Sequence, residues 1–362
     1  MIIAISIVFL FLILRFAVTV FNFVSDPKLR KIKRGHQELV SILIPARNEE
    51  ANIIRLLQSI EQQDYKNYEV IVLDDDSSDQ TYNLCTAFAT GKQRFNVIKG
   101  QPLKEGWLGK NFACHQLALQ AKGQYYLFLD ADEKIYPGLI NSSVHRMQVR
   151  KLALLSLFTN QVMDTLGERL VVPLMHYVLL NLLPIRLIYM AKNPAFAAAS
   201  GQFMLFNAGD YRTHRWHQMA KDKVVEDIEI TKMVKSTNFK CESLLANGFI
   251  TCRMYTGYSD AINGFSKNFL AAFNYSIPGF ILYLLVIIGG PLLVISTLNI
   301  QLIIMMCSLI VLSRIMISFL SGQKVWYNVL LHPLQMLSLV VVGVFAIKSH
   351  LTKNTLWKGR PV

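Results

Sequence analysis

Long apolar stretches occupy both ends of the chain, and short apolar runs alternate with amphipathic stretches between them. Residues 1–24 are nearly all apolar, are broken only by Arg15, and are long enough to cross a bilayer as a helix. Three later stretches have a similar character, at residues 277–298, about 303–320 and about 327–347. The pattern therefore predicts an amino-terminal transmembrane anchor at 1–24 and a carboxyl-terminal transmembrane region at 277–347.

Residues 39–255 carry the pattern of an α/β domain. Short apolar runs bounded by turn residues predict strands, and the stretches between them predict helices. One such helix would place Ile53, Leu56, Leu57 and Ile60 on a single face. This alternation is typical of a Rossmann-like, mostly parallel sheet covered by helices. Strands are predicted at Val40–Ile44, Glu69–Leu73, Asn96–Lys99, Tyr125–Leu129, Leu152–Phe158 and Gly201–Phe206.

Acidic residues follow two of the predicted strands. Asp74–Asp79 contains four acids after the second strand, and Asp130 and Asp132 follow the fourth. In a typical doubly wound order we expect these two strands to be neighbours, with a ligand outside their carboxyl ends. Two oxygen donors spaced like Asp130 and Asp132 suit a hard divalent cation that carries a phosphate-bearing substrate. The alternative is that these two acids only end the strand and cap the next helix.

A second acidic pair, Glu226-Asp227, opens a helix predicted at Val225–Val234. Acids are favoured in a first helical turn by the helix dipole, so the pair has a purely structural interpretation. Its functional interpretation is a general base, which a sugar transfer to a hydroxyl requires. Arg253, Lys267 and the basic residues near the carboxyl terminus would bind a diphosphate or lipid headgroups.

The composition excludes an ordinary soluble protein. The chain is 52% hydrophobic and 17% charged, and its mean hydropathy is +0.34. Its formal net charge of +13 indicates an anionic partner, but the basic residues are scattered and form no nucleic-acid-reading motif. We therefore expect a membrane surface as a partner, and no nucleic acid. The odd count of five cysteines, without a CxxC pair, fits reduced thiols on a cytoplasmic domain.

Charge around the apolar stretches predicts the membrane topology. The anchor is followed at once by a basic run, which places the amino terminus outside and the α/β domain in the cytoplasm of a multi-pass cell-membrane protein. The segment at about 171–191 is apolar but contains two prolines and an arginine, so we expect it to lie on or re-enter the membrane. The basic run consists of Lys28, Arg30, Lys31, Lys33 and Arg34.

The carboxyl-terminal tail does not fit three full crossings. Three crossings after the domain would place the tail outside, whereas the basic tail at 348–362 favours the cytoplasm. One of the later segments would then not cross fully. The break at Gly289-Gly290-Pro291 and the charged Arg314 mark the two candidates.

Five motifs, in this order and spacing, make the region at 39–255 resemble a family 2 glycosyltransferase, an inverting, nucleotide-sugar-dependent type with a GT-A fold. The motifs are Ile44–Glu50, Leu73–Asp79, Asp130–Asp132, Gly201–Leu205 and Glu226-Asp227. Within the family, the chain is similar to the membrane-anchored branch that glycosylates lipids such as carotenoids, hopanoids and sphingolipids. The residues that carry this similarity are Gly106–Lys110, Arg253–Tyr255 and Trp357–Arg360.

The resemblance implies a role for each matching residue. It makes Asp227 the catalytic base with Glu226 beside it, and Asp75 a nucleobase-binding acid. It makes Asp130 a ligand of the sugar or ribose, and Asp132, with Asp130, the ligand of a divalent cation, Mg²⁺ or Mn²⁺. It also implies a nucleotide pocket, with Lys110 as a phosphate or pocket residue, lined by Pro45, Arg47 and Glu49.

The resemblance also implies a reaction: one transfer of a hexose, such as glucose, from a UDP-sugar to a hydroxyl of a membrane lipid. Processive synthases carry a Gln-x-x-Arg-Trp motif, and no clear counterpart follows Glu226-Asp227. The family often has Gly-Gly-His before the acidic pair, and Arg215-Trp216-His217 stands here instead, which leaves the acceptor side open.

Four alternatives remain at the level of sequence, and one of them, a cytidylyl- or nucleotidyl-type enzyme on the same sheet, would leave Glu226-Asp227 without a role. A carotenoid acid of the diaponeurosporenoate type would accept the sugar on a carboxylate, but that group is already ionised and needs no base. A membrane transporter would explain the apolar carboxyl-terminal third but not the acids at the strand ends. A non-catalytic scaffold is disfavoured because the acidic residues are all present.

Overall fold

The computed structural model describes residues 1–352, 356–357 and 360–361, and the chain forms two compact units. The sheet unit comprises Lys28–Asn160, Arg186–Arg253 and Leu356–Val362. The helical unit comprises Met1–Pro27, Gln161–Ile185 and Met254–Thr355. The residues of the proposed active site all belong to the sheet unit.

A seven-stranded sheet forms the centre of the sheet unit, in the order β3-β2-β1-β4-β8-β6-β9. Strand β8 runs antiparallel to β4 and β6, and the other neighbours are parallel. The strands of the chain are β1 (Val40–Ala46), β2 (Tyr68–Asp74), β3 (Phe95–Lys99), β4 (Tyr125–Leu129), β5 (Glu133–Ile135), β6 (Leu154–Phe158), β7 (Asn160–Gln161), β8 (Phe203–Asn207), β9 (Cys241–Leu245), β10 (Ile250–Cys252), β11 (Leu356–Trp357) and β12 (Arg360–Pro361).

Helices pack on the sheet and also form the whole of the helical unit. Those of the sheet unit are α2 (Ile53–Glu61), α3 (Thr81–Ala89), α4 (Gly109–Gln120), α5 (Leu139–Arg150), α8 (Arg186–Met190), α9 (Ala208–His214), α10 (Trp216–Met219) and α11 (Glu226–Ser236). Those of the helical unit are α1 (Ile2–Ser25), α6 (Leu166–Val171), α7 (Pro173–Leu182), α12 (Tyr258–Asn268), α13 (Ile277–Leu284), α14 (Gly290–Ser296), α15 (Ile300–Ser321), α16 (Val325–Leu330) and α17 (His332–Thr352).

The core of the sheet unit forms where α2 packs on the central strands. The predicted apolar face of α2 is confirmed, because all four of its residues are buried. They pack with the alternate residues Val40, Ile42 and Ile44 of β1, which are completely inaccessible. Burial of each such side chain contributes about 1.5–3 kcal/mol, so this face fixes the position of β1 and of the loop that follows it.

Two sequence predictions about the sheet were wrong. The strands β2 and β4 are not neighbours, because β1 pairs with both and lies between them. The free edge of β2 pairs with β3 instead. The strand predicted at Leu152–Phe158 is the sixth rather than the fifth, since the short strand β5 follows directly after Asp132. The other predicted strands are confirmed within a few residues at their ends.

Within the part of the chain that the structure describes, four helices of the helical unit are long and apolar enough to cross a membrane: Ile2–Ser25, Ile277–Ser296, Ile300–Ser321 and His332–Thr352. The Gly289-Gly290-Pro291 sequence does not interrupt its helix, because the π-helical turn Leu285–Gly289 joins α13 to α14. Arg314 is buried; its guanidinium lies over the ring of Tyr177, and Nε donates to the carbonyl of Asn328 at 3.0 Å.

The apolar segment predicted at 171–191 consists of short helices rather than one long helix. Its first part, α7, packs within the helical unit, where Nδ2 of Asn22 donates to the carbonyls of Leu180 and Leu183 at 2.9 Å each. The remainder, from Arg186, belongs to the sheet unit. Of the predicted basic tail at 348–362, residues 353–355, 358–359 and 362 lie outside the described residues.

Candidate active site

The loops after β1 and β2 are tied together at the carboxyl edge of the sheet. Nη1 of Arg47 donates to the carbonyls of Asp75 and Asp76, at 2.5 and 2.7 Å. The backbone N–H of Asp75 donates to the carbonyl of Ala46 at 2.8 Å. These bonds arise because parallel β1 and β2 end at the same level, Ala46 facing Asp74. The loop residues Pro45, Arg47, Glu49 and Asp75 are thereby gathered at one edge.

The acid that ends β2 and the three acids in the loop after it have different environments. Asp74 is buried and accepts a hydrogen bond from the backbone N–H of Ser77 at 3.3 Å. Asp79 accepts from the backbone N–H of Thr81 at 2.9 Å, at the start of α3. Asp75 is 3% exposed, whereas the Asp76 side chain is 85% exposed. The bonds made by Asp74 and Asp79 shape the loop that carries Asp75 and Asp76.

Lys110, in the first turn of α4, joins two acids from distant parts of the sequence. Its Nζ lies 2.8 Å from Oδ1 of Asp130 and 3.1 Å from Oε1 of Glu226. Burial by itself lowers the pKa of Lys110, but Asp130 and Glu226 outweigh it and hold the pKa well above its ordinary value. Lys110 is therefore a permanent cation that links the end of β4 to the start of α11.

Asp227 is oriented by backbone N–H groups on both carboxylate oxygens. Oδ2 accepts from Gly201 at 2.9 Å, and Oδ1 accepts from Ile228 at 2.8 Å. Burial, together with the charge of Glu226, raises the pKa of Asp227 to about 7. A carboxylate of this kind can accept and release a proton near neutral pH, which is the requirement for a general base.

Gly201 lets these groups approach one another. A Cβ at this position would lie 3.1 Å from Nζ of Lys110, 3.1 Å from Oε1 of Glu226 and 3.7 Å from Oδ2 of Asp227. Its position is fixed because the neighbouring Gln202 carbonyl accepts from the N–H of Asp130 at 3.3 Å. The glycine thus provides both a hydrogen-bond donor and the space for three charged groups.

Asp132 stands in a second group of acids. Burial, with the charges of Asp130 and Glu49, raises its pKa to about 6. Its Oδ2 accepts a hydrogen bond from Sγ of Cys252 at 3.4 Å, and its backbone carbonyl accepts from Nη2 of Arg55 at 2.9 Å. Carboxylates that lie this close together suit a divalent cation, because the bound positive charge would offset their mutual repulsion.

The structure brings four of the predicted site residues together. Lys110 contacts Asp130 and Glu226 directly, and Asp227 joins them through its hydrogen bond with Gly201. It gathers Pro45, Arg47, Glu49 and Asp75 at the ends of β1 and β2, and places Asp132 within reach of the charge of Glu49. The sequence motifs included Gly201 but did not predict its contact with Asp227. Glu133 and Cys252 were missed, and of these two only Glu133, which directly follows Asp132, carried a local signal.

In the Arg215-Trp216-His217 segment, Arg215 is exposed, whereas the Trp216 and His217 rings pack against Phe206 of β8 and Phe128 of β4. Trp216 and His217 are both buried, and Nδ1 of His217 lies 2.7 Å from the hydroxyl of Tyr211. Burial, with the nearby charge of Lys110, lowers the pKa of His217 to about 3, so its ring is neutral. This histidine supports the aromatic core around Phe128.

Sequence comparisons find relatives of this chain. The model described as glycosyl transferase family 2 matches residues 41–215. A 4,4'-diaponeurosporenoate glycosyltransferase of Staphylococcus haemolyticus is 28% identical over 239 residues, which cover 63% of this chain and 60% of that protein. A UDP-Glc:alpha-D-GlcNAc-diphosphoundecaprenol beta-1,3-glucosyltransferase of Escherichia coli is 34% identical over 115 residues, 32% of this chain and 43% of that protein. The chain thus spans about three-fifths or less of the length of these relatives.

One solved structure resembles nearly the whole chain. It is the mannosyltransferase PcManGT from Pyrobaculum calidifontis in complex with GDP-Man and Mn²⁺, with a TM-score of 0.56 and 14% sequence identity. The likeness covers 97% of this chain and 100% of that one. Together with the seven-stranded sheet, it confirms the GT-A fold that the sequence motifs predicted.

Proposed function

We propose that this chain, whose residues 41–215 match the model described as glycosyl transferase family 2, transfers one hexose from a UDP-sugar to a membrane lipid. The observation that carries this proposal is the environment of Asp227. Its carboxylate is oriented by the N–H of Gly201 and has a pKa of about 7. Those are the properties needed to deprotonate an acceptor hydroxyl at neutral pH.

The donor would bind at the carboxyl edge of β1, β2 and β4, where ligands of such sheets bind. In this proposal Asp75 accepts hydrogen bonds from the nucleobase, and Pro45, Arg47 and Glu49 line the nucleotide pocket. Asp130 holds the ribose or sugar, and Lys110 fixes its carboxylate through the 2.8 Å ion pair. Lys110 also draws Glu226 toward Asp130, which brings the donor end and the base end of the site together.

Asp132 would hold a divalent cation, Mg²⁺ or Mn²⁺, with Asp130 beside it. Such a cation neutralises the charge of a diphosphate leaving group. The chain's own contribution to the reaction is a general base. Asp227 takes the proton from the acceptor oxygen as that oxygen attacks the anomeric carbon on the side opposite the leaving diphosphate. One displacement of this kind inverts the anomeric configuration. The similar PcManGT structure holds GDP-Man and Mn²⁺. It supports the proposal that a protein of this fold binds a nucleotide sugar together with a divalent cation.

A membrane lipid is the proposed acceptor because the helical unit has four helices of spanning length. The names of the two relatives point the same way, since one acts on a carotenoid acid and the other on a diphosphoundecaprenol-linked sugar. The basic run after α1 supports a cytoplasmic sheet unit, and hence an acceptor at the cytoplasmic leaflet of the cell membrane. The base Asp227 favours a hydroxyl acceptor, because a carboxylate acceptor would already be ionised.

The proposal is tested with the full chain in detergent or vesicles, given labelled UDP-glucose and a lipid extract. A hexosylated lipid detected by mass spectrometry supports the proposal. Treatment of this lipid with mild alkali then shows whether the sugar is linked to a hydroxyl or to a carboxylate. A hydroxyl-linked glycoside survives the alkali, whereas a sugar ester of a carotenoid acid is cleaved. If neither UDP-glucose nor other UDP-hexoses yield a lipid product while the protein is folded, the proposed function is wrong.

A further inference from the structure

Three potential metal ligands meet where β5 pairs with β10. Glu133 and Cys252 face each other as partners in this antiparallel pair, and Asp132 directly precedes β5. One ligand atom from each of the three residues lies within 4.8 Å of the other two. Partners in adjacent strands project their side chains to the same face, so the pairing itself brings the Cys252 thiol beside the Glu133 carboxylate.

Glu133 is a buried acid that the fold of the sheet unit does not satisfy. Its side chain is completely inaccessible, and neither carboxylate oxygen has a hydrogen-bond donor in good geometry among the residues that the structure describes, although the Cys252 thiol and the charge of Arg55 act on it. Within the same described part of the chain, no lysine or arginine forms a salt bridge with Asp132 or Glu133. A buried carboxylate without a well-placed donor is costly, and a bound ion is one of the few arrangements that would satisfy it.

The donor set indicates which cation would fit. Mg²⁺ prefers oxygen ligands in a regular octahedron and rarely uses sulfur. A thiolate ligand selects softer divalent ions of the zinc class, which also accept carboxylate oxygens. We propose that Asp132, Glu133 and Cys252 together form a binding site for a thiophilic divalent cation. Asp132, which is partly exposed, would be the ligand at the open side.

This inference deepens the proposed function and rests on it for the role of the cation, since Asp132 is also the proposed ligand at the donor diphosphate. The cation of the transfer would then be held by a thiol as well as by acids, which disfavours Mg²⁺ and leaves Mn²⁺ of the two ions proposed above. Binding of the cation itself needs neither donor nor acceptor, so it is measured separately from turnover.

Cadmium is the probe, because it resembles zinc and a cadmium–thiolate bond absorbs in the ultraviolet. The full chain in detergent is titrated with Cd²⁺ in a Cys307→Ser background, which removes the exposed cysteine. We expect a thiolate absorption band that saturates at one Cd²⁺ per chain. It should disappear in Cys252→Ser and persist in the matched control Cys241→Ser, whose buried sulfur faces the carbonyl of Ile188 instead.

Glu133→Gln provides a second variant that keeps the shape of the side chain and the thiol. Its Cd²⁺ affinity should fall by roughly tenfold or more, because a ligand is lost while the absorption band is retained at saturation. Thermal unfolding without Cd²⁺ shows whether each variant is folded, and a folded variant makes the comparison valid.

The outcomes separate the inference from the function. An unchanged band in folded Cys252→Ser, or no band in the parent protein, overturns the thiol site; transfer of hexose with Mg²⁺ would then leave the proposed function intact. A band that depends on Cys252 and Glu133 supports the site, even if no UDP-hexose is turned over, in which case the proposed function alone fails.

Discussion

The backbone N–H of Gly201, two residues before β8, donates to Oδ2 of Asp227 at 2.9 Å and orients this carboxylate in the first turn of α11. The two residues come from separate motifs, 26 positions apart. Gly201 can serve in this way because it has no Cβ to collide with Lys110 and Glu226. The contact joins the donor edge of the sheet to the proposed base, and it makes the charge state of Asp227 the centre of the account.

The pH dependence of transfer follows from the pKa of Asp227. A base is active when deprotonated, so kcat/KM should rise with pH and level off above the pKa of about 7. Glu226→Gln removes a negative charge that disfavours ionisation, and should shift this rise to lower pH. The measurement is the pH profile of kcat/KM for both proteins. Identical profiles would show that the titrating group is not Asp227.

Gly201→Ala should slow transfer by roughly tenfold to a hundredfold, since small displacements of reacting groups have effects of that size. The added methyl would lie 3.1 Å from both Nζ of Lys110 and Oε1 of Glu226, and one of them must move. Gly35→Ala is the matched control, because nothing lies within 4 Å of a Cβ there. Equal rates for the two variants would contradict the packing argument.

Lys110→Met should destabilise the sheet unit by about 3 kcal/mol, because it leaves Asp130 and Glu226 close together without their shared cation. Lys92→Met, which removes an exposed ion pair with Glu61, should cost less than about 1 kcal/mol. Chemical unfolding of the two variants gives the comparison. A cost for Lys110→Met no larger than that of its control would show that the bridge carries little energy.

In the helical unit, Asn22→Ala should lower stability by about 2–4 kcal/mol. Its side chain donates to the carbonyls of Leu180 and Leu183 and accepts from the N–H of Ile185 at 2.8 Å. Each buried group left unsatisfied costs about 1–3 kcal/mol. The exposed Asn83→Ala serves as control, and thermal melting in detergent is the measurement. A melting temperature equal to that of the control would rule out this role of Asn22.

The sequence was sufficient to predict most strands, the apolar face of α2 and the identity of the acidic motifs. These follow from local periodicity and from the position of acids after apolar runs. The prediction that β2 is a neighbour of β4 was wrong, because β1 pairs with both strands and lies between them. Such pairing is a property of the assembled sheet and leaves no local pattern.

The site was predictable only in part for the same reason. Asp130, Glu226 and Asp227 stand in recognisable motifs, whereas Cys252 is an ordinary residue of a short strand until β10 pairs with β5. The buried and unsatisfied state of Glu133 likewise appears only in three dimensions. Gly201 belongs to one of the five sequence motifs, but its contact with Asp227 depends on the fold around it.

The most direct test compares donor binding and transfer in Asp227→Asn. The substitution keeps the size of the side chain and removes the base, so the UDP dissociation constant measured by calorimetry should stay nearly unchanged. Hexose transfer should fall by about 10²–10⁴-fold, while Asp222→Asn, which alters an exposed acid on the preceding loop, should transfer normally. Normal turnover in Asp227→Asn would contradict the account.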